Sequence, residues 1–161
     1  MRARCCCQVG IAKVDIIDPD DGDAVPSAGD TVTVTFDRLT NQGSTANNIP
    51  TPNTKAFVDF YWIFNPSIGT DYRGQFVDAS TFTIEILTGN PDWTPIIPTT
   101  GTAATMSVKP AAQLRTSAGI SDVSDVTYSF DSGSWGALCS THSPLRWPAA
   151  CRSLHFKYSL V

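Results

Sequence analysis

Gly29-Asp30-Thr31-Val32-Thr33-Val34-Thr35-Phe36-Asp37 is the stretch that decides the fold class. Val32, Val34 and Phe36 fall on one side of an extended chain, and Thr31, Thr33 and Thr35 on the other. Strict alternation of period two describes a strand with one face buried and one wet. Gly29-Asp30 before it is a turn signal: glycine is free in φ and aspartate caps backbone amides.

The pattern repeats on either side. Gly10 to Ile17 reads as a first strand through Ile11, Val14, Ile16 and Ile17, since β-branched residues suit a pleated surface. Asp18-Pro19-Asp20-Asp21-Gly22-Asp23 breaks it. Arg38 to Asn53 is polar, carries Gly43, Pro50 and Pro52, and reads as a long loop. In Thr54 to Phe64, Thr54 caps a helical turn with Phe57 and Tyr61 at i, i+4 spacing, and the turn leads into a short strand. Ile68 to Gly74 reads as a loop with glycine near each end, Gln75 to Val77 as a short strand, and Asp78-Ala79-Ser80 as a tight turn. Thr81 to Leu87 alternates again with Phe82, Ile84 and Ile86 inward. Gly89 to Gly101 is a second long loop, rich in proline; Thr102 to Val108 and Val123 to Phe130 are the last strands. About seven short strands separated by turns predict an all-β sandwich, with one short helical turn near 54–62.

The chain has 161 residues, enough for one domain with a real core. Its ends differ from its middle. All five cysteines (Cys5, Cys6, Cys7, Cys139 and Cys151) and both histidines (His142 and His155) lie outside residues 9–136. Residues 5–136 hold all fifteen acids against six basic residues, a net charge of −9. Such an acidic domain repels phosphate backbones, which argues against nucleic acid as a partner, and it attracts cations. No stretch approaches the roughly 20 apolar residues of a membrane span. The N-terminal apolar run is interrupted by Gln8 and Lys13 and makes no signal peptide; taken literally, the chain is cytoplasmic.

The acid-rich loop is the leading candidate site. Asp18, Asp20, Asp21, Asp23 and Asp30 can supply hard oxygen ligands to calcium. The spacing is not that of an EF-hand, because the twelfth position counted from Asp18 is Gly29 rather than glutamate. The competing reading is a solvated turn whose aspartates cap backbone amides. Asp37, Asp59 and Asp71 are further acids able to join in three dimensions. Trp93, in its proline-rich loop, and Tyr72 are the candidates for stacking on a sugar; the competing reading is anchoring of their own loops, with Trp62 and Trp135 in the core. The pairs Cys139/His142 and Cys151/His155 have zinc-like ligand types in an order that matches no common finger. Cys5-Cys6-Cys7 has no adjoining membrane helix to favour palmitoylation. No nucleophile elbow, phosphate loop, dinucleotide fingerprint or glycosylation sequon appears. Glu85 faces outward with Thr81 and Thr83, so catalysis is not expected.

Three segments taken together resemble a family of immunoglobulin-like tandem repeats found in very large surface or extracellular proteins of protists, algae and bacteria. They are Asp18 to Asp23 followed by Gly29 to Asp37; Ile68-Gly69-Thr70-Asp71-Tyr72-Arg73-Gly74 followed by Ala79 to Ile84; and Leu114-Arg115, Ala118-Gly119 and Ser132 to Gly136. The resemblance covers roughly residues 11–136. It implies an immunoglobulin-like sandwich over 9–136 that spaces or adheres, with neighbouring repeats, surface proteins or glycans as partners and an extracellular or cell-surface place in a larger protein. It transfers no catalytic residue. Residues 1–8 and 137–161 then read as ends foreign to the module, such as translated intron. A carbohydrate-binding module and a cytosolic sandwich scaffold are the alternatives.

Overall fold

Residues 8–19, 25–43, 49–93 and 104–130 are described by the computed structural model. In chain order they form β1 (Ile11–Ile17), β2 (Thr31–Phe36), α1 (Lys55–Tyr61), β3 (Trp62–Asn65), β4 (Gly69–Asp78), β5 (Thr81–Gly89), β6 (Thr105–Val108), a 3-10 turn (Pro110–Ala112) and β7 (Thr127–Ser129). The strands make two antiparallel sheets, ordered β1-β2-β5-β4 and β3-β6-β7. This is the strand order of the immunoglobulin constant-type sandwich.

The alternation seen in β2 sets the register. Val32 pairs with Ile84 and Val34 with Phe82, all four fully buried, while Thr33 faces Thr83 and Thr35 faces Thr81 on the outer side. A slip of one residue would put every one of these apolar groups in water, so the pairing is strongly specified. The second sheet closes over this face through β3. Trp62 stacks on Phe36 at 6.1 Å and meets Phe82 edge-on at 5.7 Å, which joins the two sheets through aromatic contact.

Between β2 and β3 the chain makes the expected helical turn. The Thr54 hydroxyl accepts from the Phe57 N–H at 3.2 Å, and the Phe57 and Tyr61 rings lie 5.0 Å apart one turn on. The helix packs its Phe57, Val58 and Tyr61 face onto β4 and β5. Gly74 makes this approach feasible: a Cβ there would come within 2.9 Å of Val58 Cγ2 and 3.2 Å of Phe82 Cε1. Gly43, at φ +66°, takes a left-handed conformation directly against the Tyr61 hydroxyl, which donates to the Gln42 carbonyl at 2.7 Å.

Two expected boundaries are corrected. Ile68 to Gly74 is not a loop: Gly69–Asp78 is one ten-residue strand, the longest among the described residues. Its inward positions include Gly69 and Gly74, so the apolar side chains that would have revealed the alternation are missing. The last strand covers only Thr127–Ser129 rather than Val123 to Phe130. Residues 122–126 instead follow loops, with the Ser124 N–H bonded to the Leu114 carbonyl at 2.8 Å.

The register also fixes where the polypeptide enters and leaves. At one pole lie the start of β1, the end of β2 and the β4–β5 turn: Asp37 N–H bonds to the Gly10 carbonyl at 2.9 Å and Thr40 N–H to the Ala79 carbonyl at 2.7 Å. Gln8 and Val9 enter here, held by bonds from Gln8 Nε2 to the Val123 carbonyl (3.1 Å) and from Ser124 Oγ to the Val9 carbonyl (2.9 Å). At the other pole Ile17 pairs with Thr31, Gly69 with Gly89, and Asn65 with Thr105, which pairs with Ser129. Phe130 leaves there, its N–H bonded to the Ala104 carbonyl at 2.8 Å. Entry and exit are therefore at opposite ends of the sandwich.

Gly74→Val should lift α1 off the sheet. We expect a loss of about 1–3 kcal/mol in denaturant-monitored stability, the usual range for overpacking. An unchanged midpoint would show that the helix does not depend on the close approach.

Candidate functional site

The five acids of the candidate metal loop meet different fates. Asp18 and Asp30 follow and precede the Ile17–Thr31 pair, so they stand at the neck of the β1–β2 connection, at the exit pole. Asp20, Asp21 and Asp23 lie outside the described residues. Asp30 is fully buried. Its Oδ2 accepts from the Ser27 N–H at 2.7 Å and its Oδ1 from the Ser27 hydroxyl at 3.3 Å. Its own carbonyl accepts from the Ile86 N–H at 2.9 Å, and the Gly29 N–H returns a bond of the same length to the Ile86 carbonyl. These contacts make Asp30 the clamp that closes the turn onto β5, an instance of local side-chain capping.

The other acids do not converge on that neck. Asp37 is at the entry pole, where its Oδ1 accepts from the Gly10 N–H at 2.8 Å and its carboxylate pairs with Arg38. Partial burial pushes its pKa up, but the bonds from Arg38 and Gly10 outweigh this and hold it below the ordinary value. Asp59 is on α1 and Asp71 at the start of β4. Among the described residues, no three acidic, histidine or cysteine side chains come together as a metal-binding group.

The two candidate stacking residues are corrected by their burial. Tyr72 and Trp93 each keep only 3% of their surface exposed, so neither offers an open ring face to a sugar. Trp93 sits in a turn closed by its N–H to the Asn90 carbonyl at 3.0 Å, and its ring packs edge-on to Phe130 at 6.4 Å. Tyr72 packs against Phe64 at 5.8 Å under the Lys55 ammonium, 4.6 Å from the ring centre. Its hydroxyl donates to Asp59 Oδ1, and Asp59 Oδ2 pairs with Lys55. Local proline content says nothing about these tertiary contacts, which is why a loop residue reads as exposed in the sequence. Trp62 is in the core as expected; Trp135 and the Cys139/His142 and Cys151/His155 pairs lie outside the described residues.

Burial pushes the Tyr72 hydroxyl up to about 12, reinforced by its bond to Asp59; burial alone does the same for Tyr61. The bond that Lys55 donates to Asp59 holds the ammonium's pKa above the ordinary lysine value.

Sequence reasoning missed one concave feature. A shallow groove of about 400 Å³ is lined by Asn41, Gln42, Phe57, Tyr61, Gln75 and Phe76 among others. Its lining comes from separate segments of the chain, so no local motif announces it. Phe57 and Tyr61 are buried to 4% and 1% exposure, and the groove floor presents little ring surface. Charged side chains elsewhere pair off: Lys13 with Asp15, Arg38 with Asp37, Lys55 with Asp59 and Arg73 with Glu85.

Comparison of the chain with known protein families, with characterised proteins and with solved structures finds no match.

Two outcomes follow from the site. Asp30→Asn keeps the shape but weakens the charge-assisted acceptor for Ser27; unfolding should become easier by about 1–3 kcal/mol, equally with calcium and with chelator. A loss seen only in calcium would mean that Asp30 acts as a metal ligand. For the tyrosines the folded pKa of about 12 lies above the ordinary value of 10.0. Their burial thus supports the fold fully below pH 10, and that support is lost as pH rises from 10 towards 12. Phenolate absorbance should appear together with loss of the fold over that window, and Tyr72→Phe should reduce the slope of stability against pH.

Proposed function

We propose that this domain is a non-enzymatic structural or adhesive module of a larger cell-surface or extracellular protein, a link whose partners are neighbouring repeats, surface proteins or glycans. The observation that carries the reading is the opposite placement of entry and exit, Val9 at one pole and Phe130 at the other. A module built this way is strung along its long axis, and each copy adds its full length to an array. Ten residues of β4 at about 3.3 Å each give a span of roughly 33 Å. The loops at the poles and the outer faces of the two sheets remain available for contact, as on other scaffolds whose binding residues sit on connections. A net charge of −9 over residues 5–136 supports solubility when copies are crowded.

The test is labelling of intact, unpermeabilised cells with an antibody raised against the folded domain, together with brief external proteolysis. Labelling that disappears on proteolysis is the expected result. Signal obtained only after permeabilisation would overturn the surface reading and favour an internal scaffold.

A further inference from the structure

Seven large apolar side chains are exposed among the described residues, and five of them gather at the two poles. Leu39, Val77 and Ile120, exposed by 58%, 61% and 88%, belong to the entry pole. The loops that carry them are tied together: the Ser117 N–H bonds to the Leu39 carbonyl at 2.8 Å, the Thr40 N–H to the Ala79 carbonyl at 2.7 Å, and the Gly119 N–H closes the turn before Ile120 onto Thr116 at 2.7 Å. Ile17 and Leu87 belong to the exit pole, on the outer face of the four-stranded sheet. Between them β2 begins with Gly29 and Thr31, and a Cβ at Gly29 would meet nothing within 4 Å.

We propose that these patches are the two halves of a head-to-tail contact between copies of this chain, the Leu39–Val77–Ile120 surface of one copy seated on the Ile17–Leu87 surface of the next. This rests on the reading of the domain as a link in an array. A chain that carries different apolar patches at opposite ends of its long axis pairs one with the other by a heterologous contact, which propagates as a filament.

Charge selects the same arrangement. The exit pole carries Asp18, Asp71 and Asp92, and Arg73, two positions along β4 from Asp71, is held by Glu85 at 2.8 Å. Two exit poles brought together would place acids against acids. The entry pole carries Arg38 and also Arg115, whose guanidinium bonds to the Ser121 carbonyl and the Gln113 amide oxygen, neutral groups that leave its charge uncompensated among the described residues. Head-to-tail contact turns this positive charge towards the acidic pole. Five side chains make a small interface, below the size of a stable complex between free proteins. Tethering in an array supplies an effective concentration on the order of millimolar, which is enough for a weak contact to form.

The experiment is sedimentation velocity and small-angle scattering of the full chain from micromolar to millimolar concentration. Elongated oligomers should appear towards the upper end, with length rising and cross-section constant. Two variants, Leu39→Asp with Ile120→Asp and, separately, Ile17→Asp with Leu87→Asp, should each remain monomeric. Melting curves unchanged from the parent verify that each still folds, as expected of exposed positions. An equimolar mixture of the two variants retains one intact entry pole and one intact exit pole, and should form a 1:1 dimer that does not extend. The proposal is overturned if the parent chain stays monomeric at millimolar concentration. It is equally overturned if one variant dimerises alone, which would mean a symmetric contact, or if both associate like the parent. Failure here with intact-cell labelling present removes the contact and leaves the surface reading; loss of labelling with the mixed dimer present does the reverse.

Discussion

The fold depends on Trp62 being held between the two sheets. Antibody-type sandwiches join their sheets with a disulfide packed against a tryptophan on the third strand. Here the tryptophan is present on β3, but β2 and β6 contribute Val32, Val34, Met106 and Val108 to the core and no cysteine. Contact of Trp62 with Phe36 and Phe82, extended by Phe57, Tyr61 and Phe76, replaces the covalent link. Each such ring pair contributes about 0.5–1.5 kcal/mol beyond the area it buries. A cost comes with it: the buried Trp62 indole N–H has no hydrogen-bond acceptor among the described residues, a penalty of about 1–3 kcal/mol that the packing must exceed. The arrangement is independent of redox compartment.

Around that core, the acids act locally. Asp30 closes the turn before β2, Asp37 fastens the start of β1, and Asp78 accepts from the Ser80 N–H at 2.6 Å in the β4–β5 turn. The Ser80 bonds hold the Asp78 carboxyl below its ordinary pKa. Aspartate is suited to this work because its short side chain reaches backbone amides two or three residues away. Much of what looks in the sequence like a reservoir of metal ligands is, where described, a set of turn-closing contacts. The acidity left over governs how copies approach one another more than how any one copy folds.

A sandwich threaded from pole to pole transmits position along its axis, and its ends are where neighbours meet. The distribution of apolar exposure follows the same axis, with Leu39, Val77 and Ile120 at one end and Ile17 and Leu87 at the other. The array reading and the contact between copies thus draw on one geometric fact, the alternation of strand direction through seven strands in two sheets.

What the sequence by itself determined was the strand-rich class, the inward faces of β2 and β5, the Thr54 cap and the Phe57–Tyr61 pair. These rest on period-two alternation or on contacts within one helical turn, and such short-range physics is readable along the chain. Only the tertiary structure decided that Gly69–Asp78 is a single strand, because Gly74 is required by a helix that arrives from elsewhere and leaves no apolar mark. The same holds for Tyr72 and Trp93, whose burial is set by Asp59, Lys55 and Phe130 from distant segments. The separation of Asp37 from Asp18 and Asp30, and the gathering of exposed apolar groups at the poles, depend on which ends of which strands are neighbours. Sheet order is a long-range property, settled by how the apolar faces close on each other, and no local pattern encodes it.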